Sequence, residues 1–254
     1  MLRRLTSAVR ILLEGVFLMA CSLAALFIAL LPGLSRFNDA FIVWWARGAL
    51  WLAGVHWSVE GLEHFPATGP CVVVSNHLSA LDIPLLMAAV PGTPRFMAKH
   101  TLFKVPIFGW LLRVEGFVPV DRTRQQRARA SLEPATEVLR RGRRILVFPE
   151  GTRSRTGRTG VFKTGAFRMA ITTGVPVVPV TLIGTDRVFP PKSRILYRGE
   201  VRLVAGPPIP TDGMVWEERN RLRDRVRSWI IDQRGEEPVS SPDDPAGPGD
   251  NGGD

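Results

Sequence analysis

Two stretches near the start of the chain break the ordinary mixture of polar and apolar positions. Residues 15–35 carry no charged side chain, and residues 16–31 are nearly all apolar, which is membrane length or close to it. Residues 41–55 form a second apolar stretch, with Trp44, Trp45 and Trp51 inside it, Trp57 just beyond, and Arg47 interrupting it. Tryptophan suits the level of lipid headgroups, whereas an arginine in mid-segment argues against a simple lipid-exposed span unless it snorkels or finds a partner. Residues 31–38 between the stretches, with Pro32 and Gly33, read as a tight turn. The pattern predicts a membrane-associated helical hairpin over residues 1–56, dipping into one leaflet or crossing twice. In either case the rest of the chain returns to the side on which it began, and Arg3, Arg4 and Arg10 ahead of the hairpin favour the cytoplasm. A cleavable signal peptide and a hairpin packed on a soluble domain are the competing readings. Against the first, the apolar run exceeds the ~7–15 residues of a signal core.

From residue 57 to 234 the pattern changes to short β-branched runs alternating with helical periodicity. Strands are expected at 71–75, 116–120, 144–148, 177–182 and 201–204, and helices at 81–89, 124–140, 162–173 and 215–231. Such alternation favours an α/β sandwich over a bundle or an all-β fold. Residues 235–254, rich in Pro, Gly, Ser and Asp, cannot bury apolar surface and read as a disordered acidic tail.

Charge sharpens this division. The chain carries a net +10, but six acidic residues and no basic one follow Arg234, so residues 1–234 carry +16. A body this basic expects an anionic partner: nucleic acid, an anionic bilayer or a phosphorylated substrate. No nucleic-acid fingerprint accompanies it, although a non-catalytic basic module binding nucleic acid or a membrane surface is the reading from a different class. Cys21 and Cys71 have neither metal-ligand spacing nor the density of a secreted disulfide framework, which fits a reducing compartment.

Candidate chemistry sits where strands are expected to end. His77 and Asp82, five positions apart, would lie on different faces of one regular helix. The spacing serves chemistry only if His77 sits in the loop and Asp82 in the first helical turn. There a carboxylate could fold back onto one imidazole nitrogen and leave the other free to take a proton from an alcohol. The plain alternative is a dipole-favoured helix-start aspartate beside a hydrogen-bonded loop histidine. A second cluster, Phe148-Pro149-Glu150-Gly151-Thr152-Arg153-Ser154, follows the next strand. Gly151 allows close backbone approach and Arg153 offers a planar fork for phosphate oxygens. Standing alone, Glu150 and Arg153 could equally be a solvated pair. Lys99 and Arg122 could join Arg153 around a phosphate, while Phe103, Ile107, Phe108 and Trp110 either wall an acyl chain or belong to the core. Ser79 has no Gly-x-Ser-x-Gly elbow, which excludes a hydrolase reading. His100 is set aside because no carboxylate follows it at the spacing of His77 and Asp82.

Taken in order, Asn76-His77-Leu78-Ser79-Ala80-Leu81-Asp82, residues 99–109 with 116–122, the 148–154 block and Val175-Pro176-Val177-Val178-Pro179 resemble the four motifs of the glycerolipid acyltransferase family over roughly residues 55–210. The resemblance implies a mixed central sheet flanked by helices. It implies transfer of a fatty acyl group from acyl-CoA or acyl carrier protein to the sn-2 hydroxyl of 1-acyl-sn-glycerol-3-phosphate, with another lysophospholipid or a lyso-aminolipid as the alternative acceptor. It casts His77 as general base and Asp82 as its orienting partner. Glu150, Gly151 and Thr152 would place the acceptor's glycerol portion, with Arg122 and Arg153, assisted by Lys99, on its phosphate. No metal or cofactor beyond the acyl carrier is expected, and no nucleic acid. The expected location is the plasma (inner) membrane, with the catalytic domain on the cytoplasmic face.

Overall fold

A computed structural model describes residues 2–31, 34, 37–121, 132–193 and 195–236. The two apolar stretches are helices: α1 spans Leu2–Leu30 and α2 spans Asn38–Ala53. Between them Leu34 and Phe37 each donate an amide three residues back, to Leu31 and Leu34, which turns the chain. Leu12, Val16, Met19, Leu23, Phe27 and Leu30 run up the outside of α1 at three- and four-residue steps and are exposed. The segment Leu5–Leu30 is long and apolar enough to cross a membrane. Helix α2 turns Ile42, Ala46, Ala49, Leu50 and Ala53 inward, and its small residues let it lie close against the domain. Arg47 faces outward with Trp44 and Trp51.

The hairpin does not project from the domain. At its tip, Asn38 Nδ2 donates to Glu115 Oε1, and Asp39 pairs with Arg95 at 2.8 Å and with Arg143. Burial raises the Glu115 carboxyl above its ordinary range, although the Arg95 cation beside it pulls the other way. The start of α2 is thus fastened to the domain that follows, and its end runs directly into the first strand of that domain.

That domain is a seven-stranded sheet flanked by helices. In chain order come β1 (Val55–Glu60), β2 (Val72–Ser75), α3 (Asp82–Ala89), β3 (Arg95–Lys99), α4 (Phe108–Val114), β4 (Val118–Val120), α5 (Leu132–Arg140) and β5 (Ile145–Val147). There follow α6 (Gly165–Thr173), β6 (Val177–Ile183), the single turn α7 (Thr185–Val188), β7 (Gly199–Ala205) and α8 (Arg219–Arg234). The spatial order is β1-β7-β6-β2-β5-β3-β4, and only the β6–β7 pair is antiparallel. Central β2 pairs Val72 with Ile145 on one side and Val177 on the other. Side chains alternate between faces. Val72, Val74, Ile145 and Val177 pack under α5, α6 and α8, while Val73, Leu146 and Val178 pack under α2 and α3.

All five expected strands exist, shifted by a residue or two at their ends. Two further strands, β1 and β3, were not foreseen, and β1 begins at Val55, inside the stretch assigned to the hairpin. Of the helix expected at 124–140, residues 132–140 are helical and 124–131 lie outside the described residues. The predicted tail lies outside them from residue 237 onward.

Candidate active site

Five strands, β2, β3, β4, β5 and β6, run parallel, so their carboxyl ends share one rim of the sheet. Open parallel sheets bind ligands at that rim. It receives His77 after β2, Lys99 at the end of β3, Phe148 to Arg153 after β5, and Thr185 after β6.

His77 is placed by its neighbour. Where β2 stops pairing, the Asn76 side chain takes over, receiving the Leu182 amide at 2.8 Å and donating to the Leu182 carbonyl at 3.0 Å. The next residue therefore leaves the sheet in one direction. Asp82 opens α3, as the spacing requires, and folds back on the loop. Its Oδ2 accepts His77 Nδ1 at 2.7 Å and the amides of Leu78 and Ser79 at 2.7 and 2.8 Å, and its Oδ1 accepts the Thr185 hydroxyl at 2.6 Å. The carboxylate is fully buried, while the imidazole side chain keeps 12% of its surface. A carboxylate accepting at Nδ1 fixes the proton there and leaves the Nε2 lone pair free. The Phe148 ring stacks on the imidazole at 4.0 Å and 15°.

Glu150 departs from expectation. Its Oε1 accepts the His77 amide at 2.9 Å and its Oε2 the Gly160 amide at 3.1 Å, so both oxygens hold the protein's own backbone. In this geometry Glu150 braces the His77 backbone. Burial pushes its carboxyl up to about 7, opposed by the two amides and by the Arg234 cation, and aided by the Asp82 charge. Gly151 adopts φ +75, the left-handed region open to glycine, and a Cβ there would come within 3.1 Å of Lys163 Nζ. Thr152 and Arg153 are exposed. The Ser154 amide donates to the His77 carbonyl at 2.8 Å, which brings Arg153 to within one residue of the histidine's backbone. Lys99 is exposed on the same rim; Arg122 lies outside the described residues.

Ser79 is buried with its hydroxyl committed to the Phe189 carbonyl at 2.8 Å, which leaves it no nucleophilic role. His100 has a carboxylate in space that its sequence spacing did not reveal: Asp121, at 3.9 Å, too far for a hydrogen bond.

Beside the motif loop lies an apolar cavity of about 350 Å³ between the hairpin and the sheet domain, lined by Leu18, Ile42, Trp45, Met87 and Phe108 and reaching Ala80 and Leu81. Of the four aromatic and aliphatic residues expected to wall an acyl chain, only Phe108 lines it. Phe103 is core and Trp110 faces outward; α1, α2 and α3 supply most of the wall. The sequence reading also gave no role to Thr185, Phe148, Lys163 or Arg234. For Thr185 the available signal was its place just after an apolar strand.

Comparisons with known proteins identify the family. Residues 56–183 match the family model described as Acyltransferase. The 1-acyl-sn-glycerol-3-phosphate acyltransferase of Borreliella burgdorferi is 40% identical over 72% of this chain and 73% of its own. A chloroplastic 1-acyl-sn-glycerol-3-phosphate acyltransferase of Brassica napus is 40% identical over 66% of this chain, which spans only 50% of that protein. The crystal structure of the 1-acyl-sn-glycerophosphate acyltransferase PlsC from Thermotoga maritima superposes with a TM-score of 0.79 at 30% identity, covering 91% of this chain and 95% of that one. With the fold, the motif order and these relatives in agreement, the chain belongs to the acyltransferase family.

Proposed function

We propose that the chain acylates the sn-2 hydroxyl of 1-acyl-sn-glycerol-3-phosphate, using acyl-CoA or acyl carrier protein as donor and releasing phosphatidate and a free thiol. The observation that carries the reading is the imidazole with its free Nε2, held by a fully buried carboxylate on the rim that also bears Arg153 and Lys99 and adjoins an apolar cavity. His77 Nε2 takes the acceptor's hydroxyl proton as the oxygen attacks the thioester carbonyl carbon. The C–S bond breaks with its electron pair leaving on sulfur, and the imidazolium returns the proton to the thiolate. No acyl-enzyme forms. Base assistance of this kind contributes ~10²–10⁴ in rate, and alignment of the two substrates supplies much of the rest. Arg153 and Lys99, together with Arg122, gather the phosphate.

The same reading places the catalytic domain on the cytoplasmic face of the inner membrane. Ion pairs fasten the tip of the hairpin to Arg95 and Arg143 of the sheet domain. A transbilayer crossing would put tip and domain on opposite sides, so the hairpin lies in one leaflet, with the α1 stripe, Trp44, Trp51 and Trp110 toward lipid. The two helices of the hairpin, α1 and α2, then act as the anchor, and the sheet domain that starts with β1 at Val55 as the catalytic domain.

The test is thiol release and product mass with the detergent-solubilised protein, across lysophosphatidate, other lysophospholipids and lyso-aminolipid acceptors. Phosphatidate as the main product, lost in His77→Ala while thermal unfolding is unchanged, is the expected result. Thiol release no faster than the protein-free control would overturn the reading, and a preference for an unphosphorylated acceptor would overturn the role given to Arg153.

A further inference from the structure

The far side of the Glu150 loop is held by the end of the last described helix. Gly235 turns left-handed at φ 63, and the amides of Gly235 and Glu236 return to Asp232 and Ile231, which folds Glu236 back beside Arg234. Arg234 pairs through Nε with Glu236 and donates Nη1 to the Leu182 carbonyl at 3.2 Å and Nη2 to the Gly157 carbonyl at 2.6 Å. Glu236 Oε2 in turn accepts the Thr159 amide at 2.8 Å. The two side chains are only 10% and 13% exposed. Two helical turns earlier, Arg227 Nε donates to the Gly160 carbonyl at 3.0 Å.

These bonds converge on the groups that place His77. Leu182 is the residue to which Asn76 is bonded, and Gly160 supplies one of the two amides that Glu150 accepts. A guanidinium with its fork spread over one strand end and one loop fixes their separation, which a point-charge ammonium cannot do.

We infer that Arg234 and Glu236 are positioning residues for the transfer reaction, a clasp that sets the Glu150–Arg153 loop against His77 and thereby governs acceptor binding. The inference rests on the acyl-transfer reading above. The charged and titratable groups that act on Glu150 are His77, through its backbone amide, and Asp82 from the β2–α3 corner, and Arg234 from α8, while Lys163 ahead of α6 lies beside the neighbouring Gly151. Of these the Arg234 cation pulls the Glu150 carboxyl down and the Asp82 charge pushes it up. Loss of the cation therefore extends protonation of Glu150 to higher pH and weakens its hold on the His77 and Gly160 amides.

The experiment compares the full-length wild type with Arg234→Gln, Arg234→Lys and Glu236→Gln, measuring kcat, KM for lysophosphatidate, the pH profile of kcat/KM, and Tm. Arg234→Gln is expected to move the acid limb to higher pH by about half a unit or more, because a neighbouring charge shifts a buried carboxyl on that scale. Arg234→Lys keeps the charge but loses the fork, and is expected to leave the acid limb in place while raising KM by about two- to tenfold, the range of one positioning hydrogen bond. Glu236→Gln, which leaves Arg234 bonded to Gly157 and Leu182, is expected to raise KM by a similar factor with little change in Tm. An unmoved acid limb in Arg234→Gln, or kcat and KM unchanged in Glu236→Gln, overturns the inference. If Arg234→Gln does not fold, the Lys and Gln variants at 234 and 236 decide on KM alone. Wild-type protein without acyl transfer would instead refute the functional reading, so the two failures are told apart by the parent enzyme.

Discussion

Replacing Asp82 with Asn tests how the dyad works, because the surroundings of this carboxylate dictate how an amide would sit. Three N–H donors converge on Oδ2, from His77, Leu78 and Ser79, whereas Oδ1 meets one hydroxyl, that of Thr185. An amide must turn its oxygen toward the three N–H groups, since its own NH₂ would face donors there. The NH₂ then points at Thr185, whose hydroxyl can rotate and accept. The proton therefore stays on His77 Nδ1, Nε2 remains the base, and the variant loses only the negative charge. A hydrogen bond to a charged group is worth about 1 kcal/mol more than a neutral one, which corresponds to a loss of roughly fivefold. Attraction between a full imidazolium and the carboxylate at an effective dielectric of ~20 sets the upper bound, ~4 kcal/mol or roughly 10³-fold. The expected fall in kcat is about 10²-fold, smaller than for the most damaging removal of a general base at ~10⁴.

Thiol-release kinetics with Tm measured alongside check this. Turnover above about half of wild type would show that the charge has no role on the scale expected of a charge-assisted bond. Loss as complete as in His77→Ala, at unchanged Tm, would mean that the amide has turned over and the proton has moved to Nε2, against the donor count. Asp82→Ala is the poorer variant. It orphans the buried Leu78 and Ser79 amides and the Thr185 hydroxyl at ~1–3 kcal/mol each, a large part of an ordinary domain's ~5–15 kcal/mol.

Glu150 has a separate pH signature: its folded value of about 7 lies above its ordinary 4.5, so the fold binds its proton more tightly than the unfolded chain does. Its contribution to stability therefore falls as pH rises from 4.5 toward about 7, by roughly 3 kcal/mol in all, and is level above that. Denaturant titrations of wild type and Glu150→Gln across that window should show a steeper fall in the former, because Glu115 contributes equally to both; parallel curves would contradict the burial argument. Gly151→Ala forces an L-residue to φ +75 at a cost of ~1–2 kcal/mol, and a lower Tm with reduced transfer is expected, whereas an unchanged Tm would show that the loop relaxes freely. Ala49→Leu fills part of the apolar cavity, and each methylene then excluded from it should lower kcat/KM by about fourfold, shifting preference to shorter acyl chains in a donor series. An unaltered chain-length profile would place the acyl chain elsewhere.

The strands most plainly legible in the sequence were the central ones, buried on both faces. β2 is four buried residues in a row, and its valine run reads as a strand without help. β1 escaped because Val55 to Glu60, with outward His56, Ser58 and Glu60, follows directly on the apolar stretch of α2 and only half of its positions pack. β3 escaped because Arg95 opens it and Lys99 closes it. Arg95 is nonetheless buried, compensated by Asp39 and Glu115, partners that no local pattern reveals. The same asymmetry holds at the site. His77 and Asp82 could be paired from their spacing, since both lie in one loop and the helix that follows it. Thr185 lies 103 residues from Asp82, and Arg234 reaches Leu182 from 52 residues away, so only the closing of the sheet shows what they do. Glu150 was visible as a residue but its direction was not, because sequence does not say whether a carboxylate at a rim looks out to a ligand or in to the backbone.

That inward orientation changes how the two motifs relate. His77 is held on every side but one by the second motif or its own: ring stacked on Phe148, amide on Glu150, carbonyl on the Ser154 amide, and Nδ1 on Asp82. Three of those four contacts come from residues 148–154. β2 and β5 are paired neighbours in the sheet, so the loops leaving them side by side can brace each other only if both have the required length and direction. The histidine motif is therefore half of a unit whose other half begins some seventy residues later. A substitution in the second block can therefore act on His77 through the backbone alone, and Arg153, exposed, sits next to the Ser154 amide that holds the His77 carbonyl. On the mechanism proposed above, base and phosphate grip would thereby be kept in fixed relation, as direct attack of a held alcohol on a held thioester would require.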